Sequence, residues 1–114
     1  MKHDILILVN DLEQSRYFYR ETLGLGEPLI DSCEMAAFAL SEEAMLILQK
    51  SCAKYLEHAS GAVSWVFYPE DFDRVCAVLK TNGHLLNDSF FFPGGRAFRG
   101  CDPEGNIFII AEKR

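Results

Sequence analysis

Apolar runs and polar breaks divide the chain into two similar halves. Ile5 to Val9 is an unbroken aliphatic run, which predicts a strand. Asn10-Asp11 breaks it. Leu12, Ser15, Tyr19 and Thr22, with Phe18 and Leu23, then recur on one face at helical spacing. Asp11 supplies an N-cap, with Gln14 placed to complete a capping box, and Gly24 supplies a left-handed stop. Leu29-Ile30, Met35 to Leu40 and Met45 to Gln49 read as three short strands, joined by Asp31-Ser32 and Ser41-Glu42-Glu43. Lys50 to Gly61 has no clear period and reads as a connector, with a helical turn near Tyr55-Leu56.

The pattern then restarts. Ala62 to Tyr68 predicts a strand, and Glu70-Asp71 caps a helix whose apolar face is Phe72, Val75, Cys76 and Leu79. Asn82-Gly83 ends that helix. Leu85-Leu86 and Phe90 to Phe92 supply further strand material, and Pro93-Gly94-Gly95 turns the chain into Arg96 to Cys101. Asp102-Pro103 opens a tight turn and Gly105-Asn106 closes it, since both of the latter tolerate left-handed backbone. Ile107 to Ala111 reads as a final strand buried on both faces. The order is thus β-α-β-β-β written twice. Displacing the first half by 60 positions sets Asp4 on Ser64, Asp11 on Asp71 and Leu12 on Phe72, and the last strands align with Ile47 opposite Ile109. The expected fold class is α+β: two tandem βαβββ modules forming curved sheets around a cleft, with the helices outside.

Composition narrows the options. With 114 residues and 49% apolar content, the chain suits one packed domain, 1–114. Its parts are module one (1–50), a connector (51–61) and module two (62–114). Seventeen acidic against 11 basic residues give a net charge of -6, which argues against nucleic acid as a partner. No stretch approaches the roughly 20 apolar residues of a membrane span, and Met1-Lys2-His3-Asp4 is no signal peptide. A cytoplasmic protein without membrane contact is expected. Cys33, Cys52, Cys76 and Cys101 are scattered without a C-x-x-C pair, so neither a disulfide framework nor an activated thiol is expected. His58 and His84 read as solvated surface residues. Gly94-Gly95 lies between strands and so is not a phosphate cradle, which leads into a helix.

Asp11-Leu12-Glu13-Gln14-Ser15, Phe18-Tyr19 and Leu23-Gly24-Leu25 resemble the D-L-x-x-S-x-x-F-Y-x-x-x-L-G-L segment of the glyoxalase/bleomycin-resistance/dioxygenase proteins, the vicinal-oxygen-chelate superfamily. Asp102-Pro103-Glu104-Gly105-Asn106 is similar to that family's D-P-D-G-N turn. The motifs sit near opposite ends, so the resemblance spans the chain. It implies paired βαβββ modules, a homodimer, and in the enzymes one divalent metal held by His, Gln or Glu from four strands. The matching positions here are Asp4, Ser64, Ile47 and Ile109. Isoleucine has no lone pair, serine is a poor ligand, and one carboxylate does not hold a metal against water. The expectation is therefore no metal, no cofactor and no catalytic residue of the family's metal type.

Strand alternation in phase with those positions defines an expected ligand-binding set: Asp4, Leu6, Leu8, Met45, Ile47, Gln49, Ser64, Val66, Tyr68, Ile107 and Ile109, with Ala111 beyond. Ile5, Ile7, Val9, Trp65, Phe67, Phe108 and Ile110 take the opposite phase and are expected under the helices. The set is mostly apolar with a few polar groups, the usual make-up of a small-molecule site. A metal-independent binding protein of the bleomycin-resistance type, holding an apolar or cationic ligand, is the reading this favours. A metal-dependent lyase, isomerase or dioxygenase, and a structural or regulatory domain, are the alternatives.

Overall fold

Each half of the chain folds around one four-stranded sheet whose first and last strands lie side by side. The computed structural model describes residues 3–50, 65–89 and 95–112. The expected connector, the expected helical turn at Tyr55-Leu56, Ser64, and Phe90 to Gly94 lie outside the described residues. Two compact units divide the chain, Met1–Ser60 and Gly61–Arg114.

In the first unit, β1 (His3–Val9) leads into α1 (Leu12–Tyr17), followed by β2 (Ile30–Asp31), β3 (Met35–Ser41) and β4 (Ala44–Lys50). The strand order is β1-β4-β3-β2, with β1 parallel to β4 and the rest antiparallel. Asp11 caps α1 by accepting a hydrogen bond from the Gln14 amide at 3.0 Å. Beyond Tyr17 the helix widens into a π-helical turn, Phe18–Thr22, closed by Leu23 N donating to Phe18 O. The wider turn lets two adjacent aromatics, Phe18 and Tyr19, both reach the interior, their rings edge to face at 4.9 Å. Tyr19 meets Phe38 of β3, and Phe38, Ala36, Leu46, Leu48 and Val9 are completely buried. Phe38, Leu46, Leu48 and Val9 each contribute about 1.5–3 kcal/mol by leaving water. Gly24 follows the helix with φ 84°, a left-handed conformation that suits glycine.

In the second unit, β5 (Trp65–Phe67) precedes α2 (Phe72–Thr81), then β6 (Leu85–Ser89), β7 (Ala97–Cys101) and β8 (Ile107–Ala111). The order β5-β8-β7-β6 repeats that of the first sheet, with β5 parallel to β8. Asp71 caps α2 as Asp11 caps α1, accepting from Arg74 N at 3.2 Å. Phe72, Val75 and Leu79 face inward. Phe72 stacks on Phe98 of β7, while Trp65 lies 5.4 Å from the buried ring of Phe108. Arg96 holds the margin of this unit: it meets Glu112 at 2.8 Å and Asp73 at 3.1 Å, with its guanidinium over the Phe72 ring.

Three expectations change. Ile107 to Ala111 is not buried on both faces: Phe108 and Ile110 are enclosed, whereas Ile107 is 39% exposed. On the enclosed side, Phe108 packs against Trp65 of β5 and the neighbouring Phe98 against Phe72 of α2. In the turn before it, only Gly105 has positive φ, and Asn106 acts through hydrogen bonds instead. His84 is not a solvated surface histidine. It is half-buried, with Nδ1 2.9 Å from the Cys101 carbonyl oxygen.

Candidate ligand-binding faces

The helix-free face of the first sheet collects six of the expected site residues. The parallel register sets Asp4 beside Met45, Leu6 beside Ile47, and Leu8 beside Gln49, so these pairs share one side. Their alternating neighbours, Leu46 and Leu48, point to the helix side and are buried. Leu6 is 55% exposed; Leu8, Met45 and Ile47 are half-buried; Asp4 and Gln49 are exposed. Strand β3 completes the face with Met35, Ala37 and Ala39 opposite Gln49, Ile47 and Met45. Of these, Ala37 is completely buried and Ala39 is exposed.

Asp4 does local work. Its Oδ1 accepts the Met45 amide at 3.0 Å, and His3 N donates to Glu43 O at 2.8 Å. These bonds seat the start of β1 on β4. An exposed carboxylate engaged this way needs no ligand cation to satisfy it.

On the second sheet, Val66 pairs with Ile109, and Ile107 follows on the same side. Val66 and Ile109 are half-buried. Tyr68 lies past the end of β5 and is 49% exposed. The equivalence of the two units is direct: Leu6 is to Ile47 as Val66 is to Ile109. Sequence reasoning missed one residue on this face. Arg99 stands opposite Ile109 across the β7–β8 ladder, and it is exposed. The signal was available, because Arg99 follows Phe98, an aromatic that packs against α2, and strand neighbours point to opposite sides.

Other polar groups serve the fold. Arg16 is buried, and its Nη2 donates to Ser32 O at 2.7 Å while Nε lies 2.8 Å from Asp31 Oδ1. It ties α1 to the turn between β2 and β3. Asp102 is 2% exposed and accepts from Glu104 N, Asn106 N and Asn106 Nδ2 at 3.0, 2.8 and 2.9 Å. The D-P-E-G-N stretch is thus a turn drawn together around its own aspartate. Burial, with Asp73 adding to it, pushes the Cys76 thiol up to about 11. Burial likewise raises Cys101, which also feels Asp102. Neither is poised as a nucleophile.

The donor set does not fit the divalent metal that the resemblance implies for enzymes. Ile47 and Ile109 bring no donor atom to two of the matching positions, and Asp4 Oδ1 is engaged by a backbone amide. Among the described residues, no three His, Cys, Asp or Glu side chains gather as metal ligands.

Comparison with known proteins agrees with this architecture. The sequence model of the Glyoxalase/Bleomycin resistance protein/Dioxygenase superfamily matches residues 3–110. No curated protein matches the chain. Among solved structures, a glyoxalase/bleomycin resistance protein from Catenulispora acidiphila is 23% identical, with TM-score 0.71, covering 100% of this chain and 99% of that one. A lactoylglutathione lyase from Agrobacterium tumefaciens is 21% identical, with TM-score 0.70, covering 98% and 92%. TnmS3, described as an antibiotic binding protein from Streptomyces sp. CB03234, is 23% identical, with TM-score 0.70, covering 100% and 98%. At these identities the likeness shows a common fold. Among the described residues, no helix is long and apolar enough to cross a membrane.

Proposed function

The chain belongs to the glyoxalase/bleomycin resistance protein/dioxygenase superfamily, and from that premise we propose that it is a metal-independent binding protein. It holds an apolar small molecule against the helix-free faces of its sheets and sequesters it without transforming it. The observation that carries this reading is the pair Ile47 and Ile109, apolar at the family's last-strand ligand positions and lined by Leu6 and Val66. A drug is one class of ligand to test first, since a protein of the same fold is described as antibiotic binding. The cationic ligand considered for Asp4 has less support, because that carboxylate is already engaged by Met45 N.

The remaining polar residues of the proposed site, Gln49, Ser64 and Tyr68, orient the ligand by hydrogen bonding. The protein is a homodimer and works in the cytoplasm, without nucleic acid or membrane. The edge strand β2 exposes Ile30, and Leu29 beside it is 66% exposed, which supports pairing with a second copy. The cysteines Cys33, Cys76 and Cys101 are free thiols, as suits a reducing compartment.

The test uses N-phenyl-1-naphthylamine, a neutral fluorescent aromatic. Saturable binding to the wild type, lost in Ile109→Trp with an unchanged melting temperature, is the expected result. Absence of saturable binding overturns the reading. Elemental analysis of protein purified without chelator adds an independent check, and near-stoichiometric transition metal would defeat the metal-independent claim. A monomer mass by light scattering would defeat the dimer.

A further inference from the structure

We propose that Asn82-Gly83, at the C-terminal end of α2, is the chain's site of spontaneous deamidation, and that the folded helix end holds the reaction back until it opens locally. The product then weakens the cap that restrained it. The site belongs to α2 and not to the proposed ligand-binding faces.

The sequence holds Asn10, Asn82, Asn87 and Asn106, followed by Asp11, Gly83, Asp88 and Ile107. Deamidation begins when the backbone nitrogen of the next residue attacks the side-chain Cγ. Glycine, without a Cβ, shields that nitrogen least and adopts the needed backbone geometry most freely. Asn82 is therefore the most reactive of these asparagines on covalent grounds, and both it and Gly83 are exposed. The fold opposes the step at both reacting groups. Asn82 Nδ2 donates to Val78 O at 2.8 Å, which holds the side-chain amide back along the helix. Gly83 N donates to Lys80 O at 3.2 Å, so the attacking nitrogen is engaged. Beside them, Asn82 N donates to Val78 O at 3.1 Å and His84 N to Leu79 O at 2.7 Å, with Gly83 at φ 77°. Together these bonds stop α2. A helix end opens far more often than a whole domain unfolds, so the reaction has a local route.

Water is the only co-reactant. Gly83 N gives up its proton to solvent and bonds to Asn82 Cγ. The Cγ–Nδ2 bond breaks, and Nδ2 takes a proton from solvent and leaves as ammonia. The cyclic imide that results is opened by water at one of its two carbonyls, giving aspartate or isoaspartate at position 82. Either product lacks the Nδ2 donor to Val78 O. Its carboxylate also sits at the helix C-terminus, where the macrodipole is already negative. Isoaspartate lengthens the main chain by one carbon before Gly83, which displaces Gly83 N and His84 N from Lys80 O and Leu79 O. The modified helix end is thus held by fewer bonds than the native one.

The test incubates the wild type at pH 8, folded in buffer and unfolded in urea, and follows each asparagine by peptide mapping with mass spectrometry. A synthetic peptide of residues 78–86 in both solutions corrects for any effect of urea on the chemistry. In urea, Asn82 is expected to convert about tenfold faster or more than Asn10, Asn87 or Asn106. In the folded protein its rate should drop by about tenfold or more. Another asparagine leading in urea overturns the site, and equal corrected rates at Asn82 in folded and unfolded protein overturn the restraint. Asn82→Asp reproduces one product directly and should melt a few degrees below the wild type. An unchanged or higher melting temperature overturns the claim that conversion weakens the cap.

Discussion

Gly100 lies directly opposite Phe108 across the β7–β8 ladder, and a Cβ placed on Gly100 would stand 2.8 Å from the Phe108 ring. The ring has nowhere cheap to go, since Phe108 is fully buried with Trp65 packed 5.4 Å away. Gly100→Ala is therefore expected to destabilise the protein by about 1–3 kcal/mol through overpacking. Urea denaturation of Gly100→Ala, Phe108→Leu and the double variant checks this. The double variant should lose less than the sum of the singles, and strict additivity would show that the two side chains do not meet.

Asp102 should matter for stability. Removing its carboxylate in Asp102→Ala strands the Glu104 and Asn106 amides, and a loss of about 2–4 kcal/mol is expected. Asp102→Asn turns a donor toward Asn106 Nδ2, so Asn106→Asp in that background should recover part of the loss. Equilibrium denaturation reads both. A neutral Asp102→Ala would mean the turn holds without its carboxylate.

Asp4 offers a sharper distinction. Asp4→Asn retains an oxygen for the Met45 amide and is expected to stay within about 0.5 kcal/mol of the wild type, while Asp4→Ala should cost about 1 kcal/mol. Neither change should alter the affinity of the neutral naphthylamine by more than about twofold. A large loss of binding in Asp4→Asn would restore the carboxylate to a ligand role.

Thiol chemistry gives a prediction on pH. The Cys76 thiol, pushed up to about 11, should alkylate on the order of a hundredfold more slowly at pH 8 than a free cysteine. Cys33, exposed beside the β2–β3 turn, should react before Cys76 and Cys101. The sign for stability follows: a thiol raised in the fold favours the folded state below its ordinary range and loses that contribution as pH climbs toward 11. Peptide mapping by mass spectrometry after timed iodoacetamide treatment at pH 8 and pH 10 checks the order and its narrowing.

The repeat was legible because both halves carry the same local signals. Asp11 and Asp71 each cap a helix, as their positions before an apolar periodic run imply, and the motif segments place the family. The phase of the strands was harder, since Ile5 to Val9 is apolar at every position and periodicity cannot separate its faces. What remained hidden depends on partners distant in sequence. Arg16 lies on α1 and is buried against Asp31 and Ser32, partners 15 and 16 positions on. Asp4 reads as a candidate ligand group, yet Met45, 41 positions on, supplies its hydrogen bond. The π-helical turn at Phe18–Thr22 has no local signature, because it answers the need of two neighbouring aromatics for one interior. Arg99 lies on β7, a strand that carries none of the family's ligand positions.

The parallel pairing of β1 with β4, and of β5 with β8, bears on how the chain reaches this state. In each unit the strand made first finds its hydrogen-bonding neighbour only in the strand made last. The β3–β4 and β7–β8 hairpins can form early from nearby residues, whereas β1 and β5 must wait for the whole unit and close a long loop to join. A growing chain therefore carries the sticky segment Ile5 to Val9 unpaired until Lys50 has emerged, and then repeats the same exposure with β5. Each unit latches in one late step, and the seam between its ends decides when that happens.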